Sequence, residues 1–132
     1  MVHPSFTDRD NPNWDESLEL YMCAREAHDR ENFSEAIKLF HESIRLSPHY
    51  KSLLLLGECL VREKRVNEAI VAFAAATTLN RSGIAPTHLA EIWFELGELD
   101  RAKEMIDLAL QRQSHYKRAQ ELKKKIEAAP IE

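Results

Sequence analysis

The chain has 132 residues, 44% of them hydrophobic and 30% charged, with three Gly and a formal net charge of −4. That length supports one ordinary core and no second full domain, and the apolar fraction excludes wholesale disorder. A mildly acidic chain has no overall attraction for nucleic acid or an anionic membrane, and no run of about 18 apolar residues offers a membrane-spanning helix.

Residues 1–13 are polar and broken by Pro4 and Pro12. They lack the basic start and apolar stretch of a signal peptide, which implies a flexible N-terminal arm and a cytoplasmic protein. Asn13 followed by Glu16 resembles a capping box and predicts a helix over about 14–30. Within it Leu20, Cys23, Ala24 and Ala27 follow i, i+3, i+4, i+7. Apolar spacing predicts further helices over about 34–46, 50–63, 67–79, 86–96, 99–112 and 115–128. Ser47-Pro48 closes the second helix. Asn80 to Gly83 is the longest break, and Pro86 forces the fifth helix to begin there or just before it. Residues 129–132 read as a tail.

The helices come in pairs with a step of 33 residues. Phe33, Val66 and Leu99 keep that step, as do Ala36, Ala69 and Ala102. Phe40, Phe73 and Ile106 repeat it, followed by Ser43, Ala76 and Ala109. In the preceding helices Ala24, Gly57 and Ala90 do the same, and His49-Tyr50-Lys51 recurs as His115-Tyr116-Lys117. Small residues facing each other across a pair let the helix axes approach to about 8–10 Å. The final segment continues the first-helix register with Tyr116, Ala119, Leu122 and Ile126. Its other positions are polar, as a helix that ends a stack of repeats requires. The domain expectation is therefore one repeat domain over 14–128, with repeats at about 17–49, 50–82 and 83–115 and a capping helix at 116–128.

This pattern resembles the tetratricopeptide repeat family, whose unit is a helix–turn–helix of about 34 residues. The family's second-helix signature corresponds to Ala36-Phe40-Ser43, Ala69-Phe73-Ala76 and Ala102-Ile106-Ala109, and its closing proline to Pro48. Arg81 and Ser114 stand where that proline would recur, and Pro86 where a bulky residue is expected. The resemblance implies an all-α fold: a right-handed α-solenoid of three repeats plus a C-terminal capping helix. It also implies a non-enzymatic protein–protein interaction module, an adaptor, co-chaperone or assembly scaffold, binding a partner peptide or helix in a concave groove lined by the first helices. A short-repeat secretion chaperone is one form of such a module, with no motif here to single it out.

On that arrangement the groove stripe is Leu18, Tyr21, Met22, Arg25 and Asp29 on the first helix, then Lys51, Leu54, Leu55, Glu58 and Arg62 on the third. The fifth helix adds Thr87, His88, Glu91, Phe94 and Glu95. The expected partner-binding residues are Tyr21, Met22, Arg25, Leu54, Leu55, Glu58, His88, Glu91 and Phe94. The run Leu53 to Leu56 is the sharpest clue, because a helix hides two of four consecutive leucines against its pair mate. Leu54 and Leu55 then either face a partner, including a second copy in a homodimer, or are covered by neighbouring repeats. A subclass of the family clamps the acidic C-terminus of heat-shock chaperones with Lys, Asn and Arg. The matching positions here are Tyr21, Arg25, Leu55, Ile84 and His88, which argues against that activity.

Other signals point to no chemistry. The six histidines show neither HxxxH nor HExxH spacing, so no metal site is expected. His88 and Glu91 at i, i+3 read as a surface pair. No phosphate loop occurs, and neither a catalytic residue nor a cofactor is expected. Cys23 and Cys59 lack CxxC spacing and sit in apolar patterns, which predicts reduced, buried thiols. Lys117, Arg118 and Lys123 to Lys125 read as the solvated face of the capping helix, with an acidic partner or RNA as the alternative. No aromatic residue interleaves with them to stack bases, so no nucleic-acid partner and no membrane are expected.

Overall fold

The computed structural model describes residues 11–130. Residues 1–10 of the expected arm and 131–132 of the expected tail lie outside the described residues. Seven helices are present among the described residues: α1 Trp14–Asp29, α2 Phe33–Leu46, α3 Tyr50–Arg62, α4 Val66–Leu79, α5 Ile84–Glu95, α6 Leu99–Arg112 and α7 Lys117–Ala128. No strand occurs among them. The chain divides into two compact units, the first ending at Leu79 and the second beginning at Asn80.

In the first unit α1 packs on α2, α2 on α3, and α3 on α4. Ala24, Ala36 and Phe40 are buried between α1 and α2, and Gly57, Ala69 and Phe73 hold the same places between α3 and α4. Burial of each phenylalanine contributes about 1.5–3 kcal/mol. The α3–α4 approach is so close that a Cβ on Gly57 would lie 2.5 Å from the Phe73 ring. The first pair also carries a polar lock. Ser17 Oγ donates to the Ser43 carbonyl at 2.8 Å, Ser43 Oγ donates to the Ser17 carbonyl at 2.7 Å, and the two hydroxyls lie 3.1 Å apart.

In the second unit α5 packs on α6, and α7 lies against both. Its core joins Ala90, Ala102, Ile106 and Ala109 to Ala119, Leu122 and Ile126 of α7, flanked by Trp93, Phe94, Met105, Leu110 and Tyr116. Thus α7 supplies an apolar stripe to the unit and leaves its polar side chains outside.

One turn recurs in all three pairs. Glu31 N–H donates to the His28 carbonyl and Asn32 N–H to that of Ala27. Lys64 and Arg65 donate likewise to Val61 and Leu60, and Gly97 and Glu98 to Phe94 and Trp93. This is the Schellman arrangement, which requires one left-handed residue. That residue is Glu31 (φ 61°), Lys64 (φ 61°) and Gly97 (φ 78°) in turn.

Several expectations need correction. Asn13 precedes α1 but its side chain makes no capping bond; instead its N–H donates to Asn11 Oδ1 at 2.9 Å. The buried stripe of α1 is Ser17, Tyr21, Ala24 and Ala27. Only α2 packs extensively against this first helix, so a single stripe is covered, and Cys23 falls outside it and is exposed. Cys59, flanked by α2 and α4, is buried as expected. Helix α5 begins at Ile84, placing Pro86 in the first turn, where a missing N–H leaves no acceptor unmatched. Helix α7 begins at Lys117 rather than 115, because Tyr116 is extended.

Candidate functional site

Two side-chain contacts join α1 to α3 and its N-cap in the first unit. Near the start of α3 the rings of Tyr21 and His49 meet edge-on at 5.1 Å. Near the end of α1, His28 Nε2 lies 3.9 Å from Glu58 Oε2. The sequence-expected residues of this unit sort by depth. Met22 is open, at 57% exposure. Arg25 is exposed, with its guanidinium 6.0 Å from the centre of the Tyr21 ring. Leu54, Leu55 and Glu58 are half-buried.

Tyr21 is not a surface residue. It is buried, 6.1 Å from Phe40 as well as against His49, so its ring belongs to the core between α1, α2 and the start of α3. The one-residue misplacement of the α1 stripe explains both this and Cys23. Leu54 and Leu55 are neither fully exposed nor fully buried.

His49 caps α3. Its Nδ1 lies 3.5 Å from the Ser52 N–H and its Nε2 2.8 Å from Ser52 Oγ. Burial, reinforced by the charge of Lys51, lowers its pKa from 6.5 to about 3, so the ring is neutral at physiological pH. Burial, with smaller contributions from neighbouring charges, pushes the Cys59 thiol up to about 12.

In the second unit His88, Glu91 and Arg118 come together. Arg118 Nε and Nη2 donate to the two oxygens of Glu91 at 2.7 and 2.8 Å, and His88 Nδ1 lies 3.5 Å from Glu91 Oε1. Burial alone would raise the Glu91 pKa. Hydrogen bonds from His88 and Arg118, with the Arg118 charge, outweigh it and hold the carboxyl below its usual value. Glu91 is therefore engaged in holding α7. Phe94 packs half-buried against the core cluster.

The sequence reading also missed open apolar side chains: Val71 at 69% exposure, Leu96 at 53% and Leu79 at 45%. The repeat register could have flagged Val71, since the same place holds Lys38 in the first repeat and Glu104 in the third. Among the described residues no cluster of three His, Cys, Asp or Glu could hold a metal ion, and no helix is long and apolar enough to cross a membrane.

A sequence profile for the tetratricopeptide repeat matches residues 21–87. The chain belongs to the tetratricopeptide repeat family. Comparison with curated protein sequences gives no match. Among solved structures, the chain is similar to the Yersinia enterocolitica type III secretion chaperone SycD in complex with a peptide of the translocator YopD. The TM-score is 0.74 at 22% identity, over 86% of this chain and 88% of that one. It is similar to the first TPR of Spaghetti (RPAP3) bound to the HSP90 peptide SRMEEVD, with a TM-score of 0.78 at 21% identity over 86% and 91% of the two chains. It is also similar to the Arabidopsis OM64 TPR domain, with a TM-score of 0.79 at 16% identity over 86% and 96%. At such identities the likeness establishes an all-α TPR fold.

Proposed function

We propose that the chain is a non-enzymatic protein–protein interaction module, and that the side of the first unit formed by α1 and α3 receives an apolar segment of a partner peptide or helix. The observation that carries this reading is Met22, a large apolar side chain 57% exposed beside the cation of Arg25. Half-buried Leu54 and Leu55 continue the apolar surface, and Glu58 supplies a negative edge. Apolar anchors supply affinity on contact and flanking charges set direction. On the second unit His88 and Phe94 offer further contacts, while Glu91 acts by holding Arg118. Similar TPR structures containing peptides of YopD and HSP90 support the class of ligand. Binding of an acidic heat-shock C-terminus is disfavoured, because Leu55 stands at a clamp position and Tyr21 at another is buried.

The test is a tagged pull-down from the source lysate, read by mass spectrometry, with Met22→Glu, Leu55→Glu and Phe94→Glu variants beside the wild type. Circular dichroism checks that all fold equally. A partner held by wild type and lost with Met22→Glu or Leu55→Glu supports the reading. Partners that depend on none of these positions overturn it. A second reading, homodimerisation through the same apolar surface, would appear as a concentration-dependent mass abolished by Leu55→Glu.

A further inference from the structure

The 33-residue register shows what the first and last helices lack. In α3, His49, Ser52, Leu56 and Cys59 are buried, on a helix packed against both α2 and α4. The same positions in α1 are Glu16, Glu19, Cys23 and Glu26, all exposed. Helix α1 as a whole carries Asp15, Glu16, Glu19, Glu26 and Asp29 against the single cation Arg25.

The last helix shows the converse. The position of Ala24, Gly57 and Ala90, each buried against the second helix of its pair, is occupied in α7 by Lys123. Lys117, Lys124 and Lys125 are exposed on the same helix, and Glu121 and Glu127 are its acidic residues. Arg118 is taken up by Glu91. Lys123 therefore occupies the place where a further helix would pack and is partly open, while Lys117, Lys124 and Lys125 are exposed elsewhere on the surface of α7.

A polar outer face is enough to keep a helix array soluble, and either sign of charge would do that. Opposite signs on the two outer helices do more: they make the faces complementary to each other. We propose that copies of this chain associate head to tail, the acidic outer face of α1 in one copy docking on the exposed lysine-bearing surface of α7 in the next. The contact is heterologous, so each assembly keeps one unused face of each sign at its ends. It is electrostatic, so it strengthens as salt is lowered.

The experiment is analytical ultracentrifugation of the full chain over a concentration series at about 20 and about 300 mM salt. The expected result is association at low salt that weakens at least about tenfold at high salt. Two variants reverse one face each, Glu16→Lys with Glu19→Lys, and Lys123→Glu with Lys124→Glu. All four positions are solvent-accessible, and circular dichroism verifies folding. Each variant alone should be monomeric. Both reversals in one chain should restore association, and so should mixing the two variants. A second readout is the Cys23 thiol at the centre of the α1 face: its labelling rate should fall severalfold on association. Wild type that stays monomeric at low salt overturns the proposal and leaves α7 to an acidic partner of another kind. Association indifferent to either reversal overturns it equally and points to another surface.

Discussion

Cys23 and Cys59 sit on the first helices of consecutive repeats and differ in their access to solvent. Cys23 is exposed, and Cys59 is buried with its pKa pushed up to about 12. A thiol reagent at neutral pH should label one cysteine per native chain and both after denaturation. Cys23→Ser should remove the native signal; labelling that survives this change would contradict the placement of α1. His49 gives a second prediction at this scale. Between pH 6.5 and about 3 the unfolded chain binds a proton that the folded chain refuses. Stability is therefore full above pH 6.5 and declines below it, by up to about 1.4 kcal/mol per pH unit. His49→Gln should give a shallower fall of Tm between pH 7 and 5 than wild type. Parallel curves would show that His49 is not the titrating group.

At the scale of the element, the turns inside the three helix pairs are the most uniform feature, and only one was legible in the sequence. Gly97 announces a left-handed residue, whereas Glu31 and Lys64 adopt the same conformation with side chains that disfavour it. The hydrogen bonds from the following residues hold them there. Replacing Glu31 or Lys64 by Gly should raise stability by about 0.5–1 kcal/mol, and Gly97→Ala should lower it by a similar amount, measured by urea unfolding. Gly57 has a different role. Alanine would gain up to about 1 kcal/mol in helix propensity but force a Cβ into the buried Phe73 ring, which costs about 1–3 kcal/mol. Gly57→Ala should therefore be destabilising overall, and a rise in the urea midpoint would show that Phe73 shifts without strain. The helices themselves were readable because Ala, Phe and Ile recur at a fixed step on a 3.6-residue period. The α1 stripe was misread because Leu20 and Cys23 are apolar by type, while coverage depends on which neighbour is present. That neighbour also decides the site: Tyr21 goes inward, Met22 outward, and adjacent letters in the sequence carry no sign of it.

At the scale of the molecule, the role of α7 was visible as a polar helix with an apolar stripe, but its ion pair was not. Arg118 and Glu91 are 27 residues apart, and nothing in either local sequence selects the other. Arg118→Ala should leave the first unit unchanged and weaken the hold on α7. The expected outcome is faster amide exchange confined to residues 117–128, with a stability loss of about 1 kcal/mol or less, because the guanidinium is half-exposed. Uniform exchange changes in both units would contradict a local role.

The polar lock of the first pair has a mechanical consequence. Ser17 and Ser43 are replaced in the second repeat by Tyr50 and Ala76, and in the third by Gly83 and Ala109. Among the described residues this reciprocal hydroxyl–carbonyl pairing pins only α1 and α2 against sliding along their axes, whereas α5 and α6 are tied at one end, where Gly83 N–H donates to Gln113 Oε1 at 2.8 Å. Pulled from its two termini in an optical trap, the chain should yield last between α1 and α2, and Ser43→Ala should remove that final resistance.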